Sequence, residues 1–261
     1  MKPMYTLGID VGSSSSKAVI LENGKHIISY AVVEIGTGST GPERVLEDVF
    51  SGTGLTMDDM AHIIATGYGR FNVDCAKGEV SEITCHAKGA RFECPGTTTI
   101  LDIGGQDVKA IKLNTQGLVM QFAMNDKCAA GTGRFLDVMS KVLEIPMSDM
   151  GDWYFKSQNP APVSSTCTVF AESEVISLLS KNVPKEDIVA GVHRSIASKA
   201  SALVRRVGVG PDLTMTGGGS RDAGVVDAIS KELGIPVNVA LHPQVVGALG
   251  AALIAYDKVT K

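Results

Sequence analysis

Short apolar runs and two-residue alternation dominate the first part of this chain, and helical periodicity takes over later. Tyr5 to Ile9 is a continuous apolar run, and Lys17 to Leu21 and His26 to Val33 alternate, so residues 4–34 predict a three-stranded meander. Pro42 to Phe50 predicts a helix with proline near its first turn, His62 to Ala65 a short buried strand, and Glu79 to Arg91 a second helix. Cys94-Pro95-Gly96 breaks the pattern and marks a domain boundary. A second meander is expected over Thr98 to Met124, then helices near 130–144, 168–181 and 186–207. Pro211 to Met215 and Val237 to Leu241 predict strands, and Asp222 to Leu233 and Val245 to Tyr256 predict helices. The last helix is rich in Ala and Gly, which signals close packing against a sheet.

One pattern occurs twice. Asp10-Val11-Gly12-Ser13-Ser14-Ser15-Ser16-Lys17-Ala18-Val19 and Asp102-Ile103-Gly104-Gly105-Gln106-Asp107-Val108-Lys109-Ala110-Ile111 share Asp, Gly and Lys at the same relative places. Each follows an apolar strand and runs into a second strand and a polar turn, so two homologous halves are expected. Glycine amides at such turns cradle phosphate oxygens, and a nearby carboxylate holds Mg²⁺. A third glycine cluster, Thr216-Gly217-Gly218-Gly219-Ser220-Arg221-Asp222, follows a strand and opens a helix, where free amides favour anions and polar groups. Any one such turn is commonly structural; three in this order point to a nucleotide.

Composition narrows the class. The 261 residues are 44% hydrophobic and only 5% aromatic, with 29 glycines, which suits close-packed α/β layers rather than a β-sandwich. The formal net charge of −4, without a long basic run, argues against nucleic acid. No apolar stretch reaches membrane-spanning length, and no signal pattern opens the sequence, so a cytoplasmic location is expected. The five cysteines, Cys75, Cys85, Cys94, Cys128 and Cys167, are odd in number and form no Cys-x-x-Cys, which argues against a disulfide framework or a structural zinc site.

The order hairpin, hairpin, Gly-Gly-Gly turn resembles the actin, Hsp70 and sugar-kinase superfamily of ATPases across nearly the whole chain. The resemblance implies an α/β fold of two ribonuclease H-like domains with ATP·Mg²⁺ in the cleft between them. Domain I would comprise residues 1–95 plus 244–261, and domain II residues 96–243. Asp10 and Asp102 would hold Mg²⁺ through waters. Gly12, Ser13 to Ser16, Gly104, Gly105 and Gln106 would donate to phosphate oxygens, and Gly217, Gly218, Gly219 and Ser220 would form the adenosine loop. Lys17 either neutralises phosphate charge or is an outward strand lysine; Lys109, at the matching place, reads as outward. Glu82, just upstream of the second turn, is the candidate to orient the attacking water, or else a solvated helix residue. No Gly-x-x-x-x-Gly-Lys-[Ser/Thr] is present, so this is not a P-loop NTPase.

Cys128 and Cys167 lie just ahead of predicted helices. Helix starts stabilise thiolate and, through N–H···S contacts, an anionic iron–sulfur cluster. A four-iron cluster takes four thiolates, which a two-fold dimer of such chains supplies; the alternative is two small buried hydrophobes. The stretches Asn125-Asp126-Lys127-Cys128-Ala129-Ala130-Gly131-Thr132-Gly133, Ala65-Thr66-Gly67-Tyr68-Gly69-Arg70 and Glu82-Ile83-Thr84-Cys85-His86-Ala87-Lys88-Gly89-Ala90 resemble the activator ATPases of 2-hydroxyacyl-CoA dehydratases, related to the ATPase subunits of benzoyl-CoA reductase. That resemblance implies a homodimer sharing one [4Fe-4S] cluster on Cys128 and Cys167 of each subunit. It also implies ATP/ADP turnover, ferredoxin or flavodoxin as electron donor, and a dehydratase of amino-acid fermentation as acceptor, with (R)-2-hydroxyglutaryl-CoA dehydratase of glutamate degradation as the expected one. Cys75, Cys85 and Cys94 read as structural. A small-molecule kinase of the same superfamily is the alternative, with Asp107 as its acceptor base.

Overall fold

The computed structural model describes residues 3–164 and 167–260. The chain forms two compact units. One gathers the chain up to Thr97, the segment Leu113–Val119 and the chain from Ala240 onward; the other gathers Thr98–Lys112 and Met120–Val239.

The first unit is built on a four-stranded sheet of order β3-β2-β1-β4. The expected meander is present as β1 (Tyr5–Val11), β2 (Ser16–Glu22) and β3 (His26–Val33), paired antiparallel, and β4 (Met60–Thr66) adds parallel to β1. Helix α1 (Gly41–Phe50) covers one face, where Leu7, Ile9, Val45, Val49 and Ile63 are fully or nearly fully buried. Helices α2 (Glu82–Glu93) and α8 (Val246–Thr260) pack against each other, and α8 lies on β1, β2 and β4. The small residues of α8 are there for close approach. A Cβ at Gly250 would overlap the backbone of Cys85 on α2, and one at Gly8 on β1 would overlap the α8 backbone at Ala248. Helix α2 starts three residues later than its sequence pattern suggested. Residues 77–80 instead bond along β4, with Lys77 N donating to Ile63 O and Val80 N to Ala65 O, and Ser81 then caps the helix by accepting from Thr84 N.

The second unit holds a five-stranded sheet of order β7-β6-β5-β8-β9: β5 (Thr99–Ile103), β6 (Val108–Leu113), β7 (Val119–Asn125), β8 (Leu213–Thr216) and β9 (Val237–Val239). β5 pairs antiparallel with β6 and parallel with β8. Its helices are α3 (Gly133–Leu143), α4 (Met150–Lys156), α5 (Thr168–Ser180), α6 (Lys185–Val207) and α7 (Ala223–Leu233). Phe135, Leu136, Met139, Ile188, Val192, Ile196, Met215 and Val225 form its core. The 23-residue α6 follows Pro184, with Glu186 and Asp187 in its first turn and Arg205 and Arg206 in its last, each charge set matching the helix dipole. The sequence pattern did not foretell α4, a short helix of seven residues. It did place the start of α3 three residues early: Gly131 has φ +91°, and Thr132 N bonds back to Ala129 O in a turn, so helix begins only at Gly133. Among the described residues, no helix is long and apolar enough to cross a membrane.

Candidate active site: two matched turns

The β1–β2 hairpin puts Asp10 directly opposite Lys17, and the β5–β6 hairpin puts Asp102 directly opposite Lys109. In each, the lysine Nζ sits 3.3 Å from the aspartate Oδ2. The repeated sequence is therefore a repeated carboxylate–ammonium pair at the mouth of a glycine turn. Lys109 is the correction here. It does not face outward but is 1% exposed, held also by Asp107 at 2.7 Å. Lys17 likewise turns in toward Asp10. A buried charge of this kind persists only when paired.

The first turn is closed by Gly12 N donating to Ser15 O, and Thr37 N donates to Gly12 O. Ser13, Ser14 and Ser15 sit half-buried at its tip, and the Ser14 hydroxyl is buried with no hydrogen-bond partner among the described residues. Ser16 differs from them: it is fully buried and its hydroxyl donates to Ile35 O. Asp10 is 3% exposed and its second oxygen, Oδ1, is buried and accepts from nothing described. A carboxylate oxygen at the strand end and a hydroxyl on the turn that follows it, neither with a partner among the described residues, suit a hydrated divalent cation and the anion it escorts.

The second turn is closed by Gly104 N donating to Asp107 O. Gly105 and Gln106 are exposed at its tip. Helix α3 grips it from behind, Gly133 N donating to Gly104 O and Arg134 N to Gly105 O. Thr216 at the end of β8 donates from Oγ1 to Asp102 Oδ1 at 2.8 Å, tying the third glycine cluster to the second turn. In that cluster Gly217 has φ +82°, a conformation L side chains rarely adopt, and Gly218 is exposed. The Ser220 hydroxyl turns inward to Gly217 O. Asp222 then caps α7, accepting from Gly224 N and Val225 N, and is itself held 3.0 Å from His193 Nε2.

Glu82 is the first residue of α2, and its Oε1 lies 3.7 Å from Nε2 of His86, one turn on. His86 is 5% exposed and was not among the residues singled out from the sequence; the Glu-x-x-x-His spacing on a helix was the available signal.

Cys167 is the N-cap of α5, with Ala171 N donating to its carbonyl. Cys128 departs from expectation. It lies in the loop between β7 and α3, five residues ahead of the helix, where Asn125 Nδ2 donates to its carbonyl. Both are free, half-buried thiols. Cys85 is fully buried and its thiol is pushed up to about 12 by desolvation, and burial raises Cys75 as well. Past Cys167, α5 exposes Val169 (65%), Phe170 (63%) and Ile176 (53%).

Comparison with known proteins places this geometry. The activator of lactoyl-CoA dehydratase from Anaerotignum propionicum is 55% identical, over 99% of this chain and 100% of that protein. The solved activator of the 2-hydroxyisocaproyl-CoA dehydratase from Clostridium difficile, with bound ADPNP, is 52% identical with a TM-score of 0.95, covering 98% of this chain and 95% of that one. The solved (R)-2-hydroxyglutaryl-CoA dehydratase component A of Acidaminococcus fermentans is 50% identical, also at 0.95, covering 99% of this chain and 100% of that one. The fold is the α/β fold of actin, Hsp70 and sugar-kinase ATPases. Residues 7–255 match the BadF/BadG/BcrA/BcrD ATPase family, and the chain belongs to it.

Proposed function

We propose that this chain is an ATP-hydrolysing activator that delivers single electrons to a 2-hydroxyacyl-CoA dehydratase. The observation that carries the ATPase part is the twice-built Asp–Lys pair at a glycine turn, with Asp10 Oδ1 and the Ser14 hydroxyl left unpartnered among the described residues. Phosphoryl transfer needs positioning and charge neutralisation more than covalent help. In this reading Asp10 and Asp102 hold Mg²⁺ through waters, which supplies neutralisation at the phosphates. Gly12 and Ser13 to Ser15 donate to phosphate oxygens from the first turn, Gly104 to Gln106 from the second. Ser16, already bonded to Ile35, contributes its backbone. Gly217 to Gly219 take the nucleoside, while the Ser220 hydroxyl holds that loop in shape. Glu82 orients the attacking water.

Cys128 and Cys167, with the same two residues of a second copy, are the ligands for a [4Fe-4S] cluster, which supplies a one-electron store. Two observations support this. Their thiols are free and half-buried, and the first-turn amides of α5 follow Cys167 directly. The exposed Val169, Phe170 and Ile176 give a second copy an apolar surface to cover beside Cys167. The turn-to-cysteine linkage is mechanical: the amides of Gly133 and Arg134 hold the second turn, α3 packs on α5, and α5 begins at Cys167. A shift of the second turn on loss of the γ-phosphate therefore moves the Cys167 end of α5. The kinase alternative is not favoured, because Asp107, the base it needs, is locked to Lys109 at 2.7 Å.

Anaerobic iron and sulfide analysis alongside solution mass tests the reading. The expected result is a two-chain particle with about four irons that reduces the dehydratase repeatedly with ATP and not with a non-hydrolysable analogue. Cys128→Ser is expected to lose the iron and keep nucleotide binding. An iron-free monomer that phosphorylates a small acceptor overturns it.

A further inference from the structure

Three elements of the first unit converge beside His86. Asp10 comes from β1, His86 from α2 and Gly247 from α8. A Cβ placed on Gly247 would lie 3.1 Å from Asp10 Oδ2 and 3.1 Å from His86 Nε2. Because Gly247 has none, no side chain at this position of α8 stands between carboxylate and imidazole. Glu82 Oε1 lies 3.7 Å from the same Nε2. The backbone around His86 cannot drift, since α2 and α8 touch backbone to backbone at Cys85 and Gly250, and Gly89 of α2 is pressed on Val246.

We propose that His86 is a positioning residue for ATP hydrolysis, its Nε2 edge lying 3.7 Å from the Glu82 carboxylate, within ion-pair reach, and so biasing the placement of the group that orients the attacking water. The inference rests on the assignment of that role to Glu82. The His86 imidazole is 5% exposed, so a charge beside it is weakly screened, and Glu82 Oε1 is 3.7 Å from its Nε2. A glutamate at the first position of a helix has several rotamers open to it; an imidazole one turn along biases the choice. Preorganising the water in this way lowers the barrier without adding affinity for ATP.

The test uses the anaerobically purified holoprotein, with His86→Ala, His86→Gln, His86→Asn, Glu82→Ala and the Glu82→Ala/His86→Ala pair, read as steady-state kcat and KM for ATP. His86→Ala is expected to lower kcat about 10- to 100-fold, the scale of a misplaced reactive group, with KM within about 2-fold. The Gln amide nitrogen reaches the place of Nε2 and the Asn amide only that of Nδ1, so His86→Gln is expected to recover most of the rate and His86→Asn little. These two polar variants keep the test alive if the Ala variant folds poorly. The double variant is expected to be no slower than Glu82→Ala alone. Wild-type kcat in His86→Ala, Asn rescuing better than Gln, or additive losses in the pair overturns the proposal. Glu82→Ala with wild-type kcat overturns the role of Glu82 and this inference with it; a slow Glu82→Ala beside a normal His86→Ala overturns the inference alone.

Discussion

At the scale of single residues, the two paired lysines separate stability from chemistry. Lys109 touches Asp102 and Asp107 and is sealed from solvent. Lys109→Ala leaves two buried carboxylates facing each other, and a loss of about 3–5 kcal/mol is expected in denaturant unfolding. Lys17 is more open and answers to one aspartate, so Lys17→Ala is expected to cost less stability and more ATPase rate. Cysteines sort the same way. Burial holds the Cys85 thiol near 12, far from its ordinary value. Iodoacetamide at pH 8 on iron-free protein is expected to modify Cys128 and Cys167 well before Cys85, read by peptide mass spectrometry. How much of this was legible varies with the residue. Asp10, Asp102 and the glycines could be read from the repeat because hairpin geometry follows from local spacing. The inward turn of Lys109 could not, since alternation gives two faces and only the layer packed behind β6 says which is buried.

At the scale of elements, starts and stops depended on hydrogen bonds that no propensity carries. The start of α2 waited on Ser81 because the preceding residues were taken by β4; that of α3 waited on the turn at Gly131. One element junction makes a pH-dependent prediction. Asp187 in the first turn of α6 accepts from Ser157 Oγ at 2.7 Å, Asn159 N at 3.0 Å and Gln158 N at 3.2 Å, tying the exit of α4 to α6. The Ser157 hydroxyl first, then the amide of Asn159, hold its carboxyl below the usual 3.8. A carboxyl depressed by folding adds stability above its unfolded pKa and loses it as pH falls through the folded one. Asp187→Asn is therefore expected to lower Tm at pH 7 and to leave it nearly unchanged under strongly acid conditions. The α2–α8 contact is stricter: Gly250→Ala drives a methyl into the Cys85 backbone, and a drop of at least about 1–3 kcal/mol is expected.

At the scale of the whole molecule, the internal repeat is what made the architecture readable. Each unit opens with the same antiparallel hairpin, β1–β2 and β5–β6, and then adds a parallel strand to its first strand, β4 beside β1 and β8 beside β5. The segment that escaped the reading is the β6–β7 turn, Leu113–Val119, which clusters with the first unit, where Arg91 donates to the carbonyls of Thr97 and Thr115. Contacts between segments far apart in sequence leave no local mark. The proposed two-chain assembly is testable at this scale. Phe170→Asp on the outer face of α5 is expected to give iron-free monomers in sedimentation that still bind ADP, since Phe170 is remote in sequence from every glycine turn.

The seating of α8 on β1, β2 and β4 also sets an order of events during synthesis. Val19 and Leu21 are covered by Val245, Ala248, Leu249 and Ala252, residues translated more than 220 positions later. All strands and helices of the second unit have left the ribosome before that cover exists. The first-made sheet thus stays open on one face the longest, and the nascent chain exposes its stickiest surface at the beginning of its sequence until its end has been made.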